Sequence, residues 1–226
     1  TYLRPHPPLV APAPWNRLVD PATLPLPPGG GEVRHPFTVP SRAGSPIAGM
    51  VEGFPDLAPS DENLRMLRAL YLGLASEVDH HLGRIIADLK DRGLYDSTLI
   101  VVTADHGEML GDHGLWGKAT FHDAAWHTPL ILRDPGAPAR GAAVDLPTES
   151  VDVTPTILDC LGLPVPDTMD GRSLRPFLHG ESPAAWRRHT FSELDFGDPV
   201  APTGVQQALG LRAEEANLAI LRGPDH

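Results

Sequence analysis

At 226 residues, with 41% hydrophobic and 21% charged side chains, the chain is long enough to bury a core and has the composition of a globular protein. Its 18 basic and 29 acidic residues give a formal charge of -11. That balance opposes nucleic-acid binding driven by phosphate neutralisation, but it leaves an anionic small substrate open, because a few local cations or a metal ion invert the potential of one pocket.

A single cysteine excludes an intrachain disulfide. Cys160 sits in an apolar segment and reads as a buried, inert thiol. No run approaches the ~20 apolar residues that span a bilayer, so no membrane partner is expected.

Residues 1–59 hold repeated Pro and Gly, as in RPHPPLVAPAP and LPLPPGGG. Missing amide donors and fixed φ angles make a regular strand or long helix improbable there. Scattered Trp15, Phe37, Met50 and Phe54 predict a segment that packs loosely across the surface of a core domain formed by residues 60–226.

The character changes at Ser60, a helix cap followed by Asp61 and Glu62 in the first turn. Leu64, Leu67, Tyr71, Leu74, Val78, Leu82, Ile85 and Leu89 recur every three or four residues, which predicts a long amphipathic helix stopped at Gly93. Gly73 and Gly83 permit close packing against it, and Asp79, His80 and His81 belong to its polar face.

Thr98 to Thr103 is apolar and β-branched, the pattern of a fully buried strand, and Pro129 to Arg133 supplies a second. Helix followed by buried strand is the unit of an α/β layered fold, whose ligands gather beyond the carboxyl ends of its strands. Pro135 to Gly141 is a turn-rich loop. Thr154 or Asp152 caps a helix through Ile157, Leu158 and Leu161, with Pro155 in its first turn, and a weak final helix is expected over 203–221.

Between the two strands runs LIVVTADHGEMLGDHGLWGKATFHD, Leu99 to Asp123. Asp105 and His106 offer a carboxylate and an imidazole, a mixed pair suited to a divalent cation that keeps room for a substrate oxygen. Gly107 relieves crowding at the bend, and Gly111, Gly114 and Gly117 let the loop fold back so that Lys118 approaches the pair. A lysine there neutralises an oxygen of a phosphate, phosphonate or sulfate ester. Asp-His pairs are also common in ordinary loops. Glu108, Asp112 and His113 read as supports of the loop or as solvated residues, and at most one of His122, Asp123 and His127 touches a ligand. His6, on the stiff backbone of RPHPP, is either a group that protonates a leaving oxygen or an ordinary surface histidine.

With these residues in place, Leu99 to Pro135 resembles the sulfatase branch of the alkaline-phosphatase-like superfamily, above all its phosphonate monoester hydrolases and their arylsulfatase relatives. YLRPHPPLVAPAPW, VDVTPTILDCLGLPVPDTMDGRSLRPFL and FSELDF agree with the same group. The resemblance implies a layered fold with a central, mostly parallel sheet flanked by helices. It implies hydrolysis of phosphonate monoesters, phosphodiesters or sulfate esters, with a small anionic ester as substrate. Asp105 and His106 then correspond to part of the set holding one divalent metal ion (Mn, Ca, Mg or Zn), Lys118 to the lysine on the non-bridging oxygens, and His6 to the histidine at the leaving group.

The family nucleophile is a formylglycine, or a serine or threonine, in a C/S-x-P-S/A-R motif. Neither Cys160, which precedes Leu161, Gly162 and Leu163, nor Ser41-Arg42 completes that motif. The resemblance is therefore read as covering only the C-terminal portion of the family, with a fold incomplete at both ends. On that reading the chain is a fragment with little turnover by itself, and a missing N-terminal segment or chain is its partner and carries the nucleophile. The alternative function is a non-catalytic structural or interaction fragment paired with such a chain. Proline-rich arms and exposed strand edges favour a homo-oligomer. Location is read as cytoplasmic, with no signal visible because the true N-terminus is absent.

Overall fold

The computed structural model describes residues 2–28, 35–44, 46–138 and 141–223. Six α-helices are present among them: α1 (Thr38–Ala43), α2 (Asp61–Asp91), α3 (Asp123–Trp126), α4 (Val153–Cys160), α5 (Arg175–Leu178) and α6 (Gly204–Leu209). Four strands accompany them: β1 (Ile100–Thr103), β2 (Leu130–Arg133), β3 (Thr190–Asp195) and β4 (Asn217–Arg222). The glycine run at 29–31 lies outside the described residues.

The chain divides into two compact units. The first comprises Thr1–Asp91, His106–His127 and Asp195–Asn217, and the second comprises Arg92–Asp105, Thr128–Leu194 and Leu218–His226.

In the first unit, α2 begins as its cap requires: Ser60 Oγ accepts the Asn63 N–H at 3.2 Å and Ser60 O accepts the Leu64 N–H at 2.9 Å. Gly93, at φ +67°, follows its end. Leu67 and Leu74 pack with Leu9, Ile47, Met50 and Trp116 in one apolar cluster. Burying a leucine such as Leu74, which is 0% exposed, contributes roughly 1.5–3 kcal/mol.

The proline-rich segment contains α1 and is not a loose cover, because Leu9, Ile47 and Met50 are core residues. The Leu9 N–H donates to Met50 O at 2.7 Å, joining two parts of that segment inside the cluster. Gly73 lets the Trp15 turn sit directly on α2, where a Cβ would come 2.2 Å from Trp15 O. Nothing comparable approaches Gly83, and Ile85 is exposed. The apolar stripe is thus covered along the N-terminal half of α2, where the proline-rich arm supplies partners.

The sequence-based expectation for the sheet needs correction. β1 and β2 pair antiparallel, with Ile100 opposite Arg133 and Thr103 opposite Leu130. Among the described residues the sheets are two two-stranded pairs, β1–β2 and β3–β4, rather than a mostly parallel centre. β1 is also not fully buried: its first three residues are half-buried and Thr103 is exposed. A short β-branched run suits a half-covered antiparallel pair as well as a central parallel strand, so composition did not separate the two.

Within the second unit, Asp152 caps differently from the expected way. It is 0% exposed, accepts the Glu149 and Arg172 N–H groups at 2.8 and 2.7 Å, and takes the forked guanidinium of Arg187 at 2.6 and 2.7 Å. Pro155 does occupy the first turn of α4. Leu161 lies beyond the helix end and is exposed.

The predicted helix over 203–221 is a helix only at its start. Thr203 and Gln206 form a reciprocal cap for α6, and Gly210 ends it at φ +65°. Asn217–Arg222 then alternates exposed and half-buried residues, the period of a strand, and forms β4.

Candidate active site

The loop between His106 and His127 belongs to the first unit. Its start is pinned to α3, where Gly107 N–H donates to Ala125 O at 2.7 Å and Glu108 N–H to Ala124 O at 2.9 Å. Gly107 is required by that approach, since a Cβ there would lie 2.0 Å from Ala124 O. The chain then folds back on itself: Met109 N–H meets Gly117 O at 3.0 Å and Gly111 N–H meets Leu115 O at 2.9 Å. Buried Met109, Leu115 and Ala125 form a small apolar cluster of their own.

Side chains from neighbouring elements hold the outside of the loop. Arg68 on α2 donates to Leu110 O at 3.1 Å and to Asp112 Oδ1 at 2.9 Å. Arg42 on α1 donates to His113 O at 2.6 Å. The His113 ring stacks on His122 with centroids 4.2 Å apart. Asp112 and Glu108 are therefore supports, while His113 contributes its backbone and a stacked ring. Glu108 Oε1 accepts the Gly117 N–H at 2.6 Å.

This folding delivers Lys118 to two histidines. Its Nζ lies 2.7 Å from His106 Nε2 and 3.1 Å from His6 Nε2. The two imidazoles meet edge to face, 6.0 Å between centroids. His6 comes from the other end of the unit, on a turn closed by its own N–H donating to Leu3 O at 3.1 Å.

Ring hydrogen bonds fix how the histidines are used. His6 Nδ1 sits 2.6 Å from Pro7 O and His106 Nδ1 sits 2.8 Å from Gly107 O. A carbonyl only accepts, so each Nδ1 carries the proton and donates. An ammonium only donates, so each Nε2 presents its lone pair to Lys118. The cluster sets the lysine nitrogen against two imidazole nitrogens. Among the described residues no carboxylate lies within ion-pair distance of Lys118, and an ammonium has three N–H donors, of which two are engaged. Lys118 and His6 are exposed and His106 is half-buried, so a small anion has access.

Asp105 is exposed at the end of β1 and belongs to the second unit. Among the described residues no group of three or more His, Cys, Asp or Glu side chains is placed to share a metal ion. A tetrahedral zinc site takes four ligands and a hard cation six or more, so the described residues do not make such a set by themselves, and no step is derived through a metal ion.

Thr38-Val39-Pro40-Ser41-Arg42 comes near the family's nucleophile motif with Thr in first position, but Thr38 and Ser41 are buried on α1 and Arg42 is bound to His113 O. Burial, reinforced by the nearby Asp134 carboxylate, pushes the Cys160 thiol up to about 11, which agrees with an inert thiol. Glu108 was readable only as one of three supports. Its bond to the residue before Lys118 is a long-range contact with no signature in local sequence.

Comparison with known proteins gives this geometry a family. The sulfatase family pattern matches residues 35–163, more than half of the chain, and the pattern "N-sulphoglucosamine sulphohydrolase, C-terminal" matches residues 111–220. The structure of the phosphonate monoester hydrolase SpPMH from Silicibacter pomeroyi superposes with a TM-score of 0.94 at 57% identity, covering 98% of this chain and 45% of that one. The phosphonate monoester hydrolase of Agrobacterium radiobacter gives 0.82 at 39% identity, with the same two coverages. The multifunctional alkaline phosphatase superfamily protein PehA of Trinickia caryophylli is 37% identical over 236 residues, which is 100% of this chain and 45% of that protein. The chain thus spans somewhat under half the length of these relatives.

These matches support the alkaline-phosphatase-like α/β fold and correct several expectations. Likeness runs along 98% of this chain and 45% of each structural relative, so the expectation of a match over a portion only is replaced by one along nearly all of these residues. Nothing in these matches assigns a formylglycine, serine or threonine nucleophile or a partner segment, and neither is carried further. The divalent metal ion has no support in the side-chain arrangement. No observation supports the cytoplasmic assignment. What is found is that no described helix is long and apolar enough to cross a membrane. With both the family pattern and the folds in agreement over so much of its length, this chain belongs to the sulfatase family of hydrolases.

Proposed function

We propose that the protein hydrolyses small anionic esters of the phosphonate monoester, phosphodiester or sulfate type, with Lys118 as the group that binds their non-bridging oxygens. The observation that carries this reading is the placement of the Lys118 ammonium between two imidazole Nε2 atoms, at 2.7 and 3.1 Å, with no carboxylate of the described residues paired to it. A lysine ammonium exposed at this point attracts an incoming anion.

As a water or hydroxyl oxygen bonds to phosphorus or sulfur and the bond to the alcohol oxygen breaks, negative charge grows on the non-bridging oxygens, Lys118 stabilises it, and the departing alcohol takes up the proton released by the attacking oxygen. His106 orients the ammonium. His6, on the same ammonium but from a separate turn, faces the departing alcohol. Among the esters considered, the names of the two structural relatives favour phosphonate monoesters.

The test is a panel of 4-nitrophenyl esters, comprising a phosphonate monoester, a phosphodiester and a sulfate, assayed with the protein and its Lys118→Ala variant. Hydrolysis of at least one ester is expected, with kcat/KM falling about 10²–10³-fold in the variant, the loss typical for a removed oxyanion donor. Equal rates for the two proteins would contradict the reading.

A further inference from the structure

We propose that Glu108 is a positioning residue: its carboxylate ties the two ends of the loop together and so sets Lys118 against His106. The inference rests on the reading of Lys118 as the anion-binding group. Glu108 stands two residues after His106, and Gly117 stands one residue before Lys118. Glu108 Oε1 accepts the Gly117 N–H at 2.6 Å, and the Leu110 N–H approaches the same oxygen at 3.4 Å. Alongside, Met109 N–H donates to Gly117 O at 3.0 Å. Gly117 is thereby held through both its N–H and its carbonyl by the segment that leaves His106.

The carboxylate bond is the stronger of these restraints, because a hydrogen bond to an ionised acceptor is shorter and stronger than one between neutral groups. Gly117 has φ +75°, a conformation that glycine adopts without strain, and Lys118 follows it directly. Without the tether, the glycine-rich segment 111–117 has many conformations in which the ammonium misses the imidazoles. Displacement by about 1 Å costs up to 10²-fold in rate.

Glu108 itself does not reach the cluster: its carboxylate contacts are the backbone N–H groups of Gly117 and Leu110. Its negative charge is also felt by Tyr71 on α2, whose phenol is raised by burial first and by Glu108 second. The carboxylate is thus bonded to the backbone of the loop. It acts through Lys118.

Three variants separate tether from charge. Glu108→Gln keeps an acceptor oxygen of the same reach without charge, Glu108→Asp keeps charge but shortens the reach, and Glu108→Ala removes both. Each is measured for kcat/KM on the best 4-nitrophenyl ester, for inorganic sulfate affinity by calorimetry, and for thermal midpoint. The Ala and Asp variants are expected to lose about 10–100-fold in kcat/KM and to bind sulfate more weakly, while Gln stays within about threefold of the parent. If Glu108→Ala does not fold, the Asp and Gln variants carry the same contrast.

A double-mutant cycle then asks whether the effect passes through the lysine. In a Lys118→Ala background, adding Glu108→Ala is expected to have no further effect on kcat/KM. Full additivity, wild-type behaviour of Glu108→Asp and Glu108→Ala, or equal damage by Gln and Ala would each overturn the proposal. Unchanged sulfate affinity and rate in Lys118→Ala alone would instead overturn the reading of Lys118, whatever Glu108 does.

Discussion

Two regions of the chain hold a basic side chain in opposite ways. In the second unit Arg187, with its side chain 10% exposed, is forked onto Asp152, whose side chain is 0% exposed, and also pairs with Glu149. In the first unit Lys118 is exposed and is held by imidazole nitrogens. The arginine's charge is spent inside the fold, fixing the turn Ser150–Asp152 to the segments around Arg172 and Arg187. The lysine's charge is held in place and left uncompensated. One cation serves the structure, and the other is the one proposed to meet a ligand.

The largest effect expected from this contrast is on stability. Arg187→Ala leaves the buried Asp152 carboxylate without its partner, and breaking a buried pair costs about 3–5 kcal/mol. Urea unfolding should show that loss, whereas Lys118→Ala should change stability by less than about 0.5 kcal/mol, as exposed substitutions do. A destabilisation of similar size in both variants would erase the distinction.

Smaller in effect is a sharpening within the second unit. Burial and Asp134 hold the Cys160 thiol protonated to about 11, above its ordinary range. Iodoacetamide, which reacts with thiolate, should therefore label Cys160 slowly at pH 8 and faster as pH climbs toward 11. Because the folded state keeps the proton that the unfolded state releases first, the stability that this group contributes is present below pH ~8.5 and declines as pH rises through 11. Rapid labelling at pH 8 would contradict the assignment of an inert thiol.

The readable parts of this molecule are those decided locally. Ser60, the three-and-four spacing through Leu74, and Gly93 define α2 because capping and periodicity act within a few residues. The fold-back of the loop onto His106 was also legible, since glycines at 107, 111, 114 and 117 mark its turns. Long-range choices were not. Leu9 enters the core from a proline-rich stretch with no period, and β1 takes an antiparallel partner that its β-branched sequence does not specify. The segment after Gly210 becomes a strand although its composition suits a weak helix. His6 lies 112 residues from Lys118, and its arrival there was implied by the family resemblance rather than by its neighbours.

The most direct test of the account is an imidazole ¹⁵N–¹H spectrum of the protein titrated with inorganic sulfate. His6 and His106 should both report Nδ1–H forms before the titration, and their Nε2 signals should move together as sulfate displaces them from the ammonium. Both shifts should vanish in Lys118→Ala. Imidazole signals that ignore sulfate, or that move equally without the lysine, would contradict the claim that Lys118 is the anion-binding centre of this enzyme.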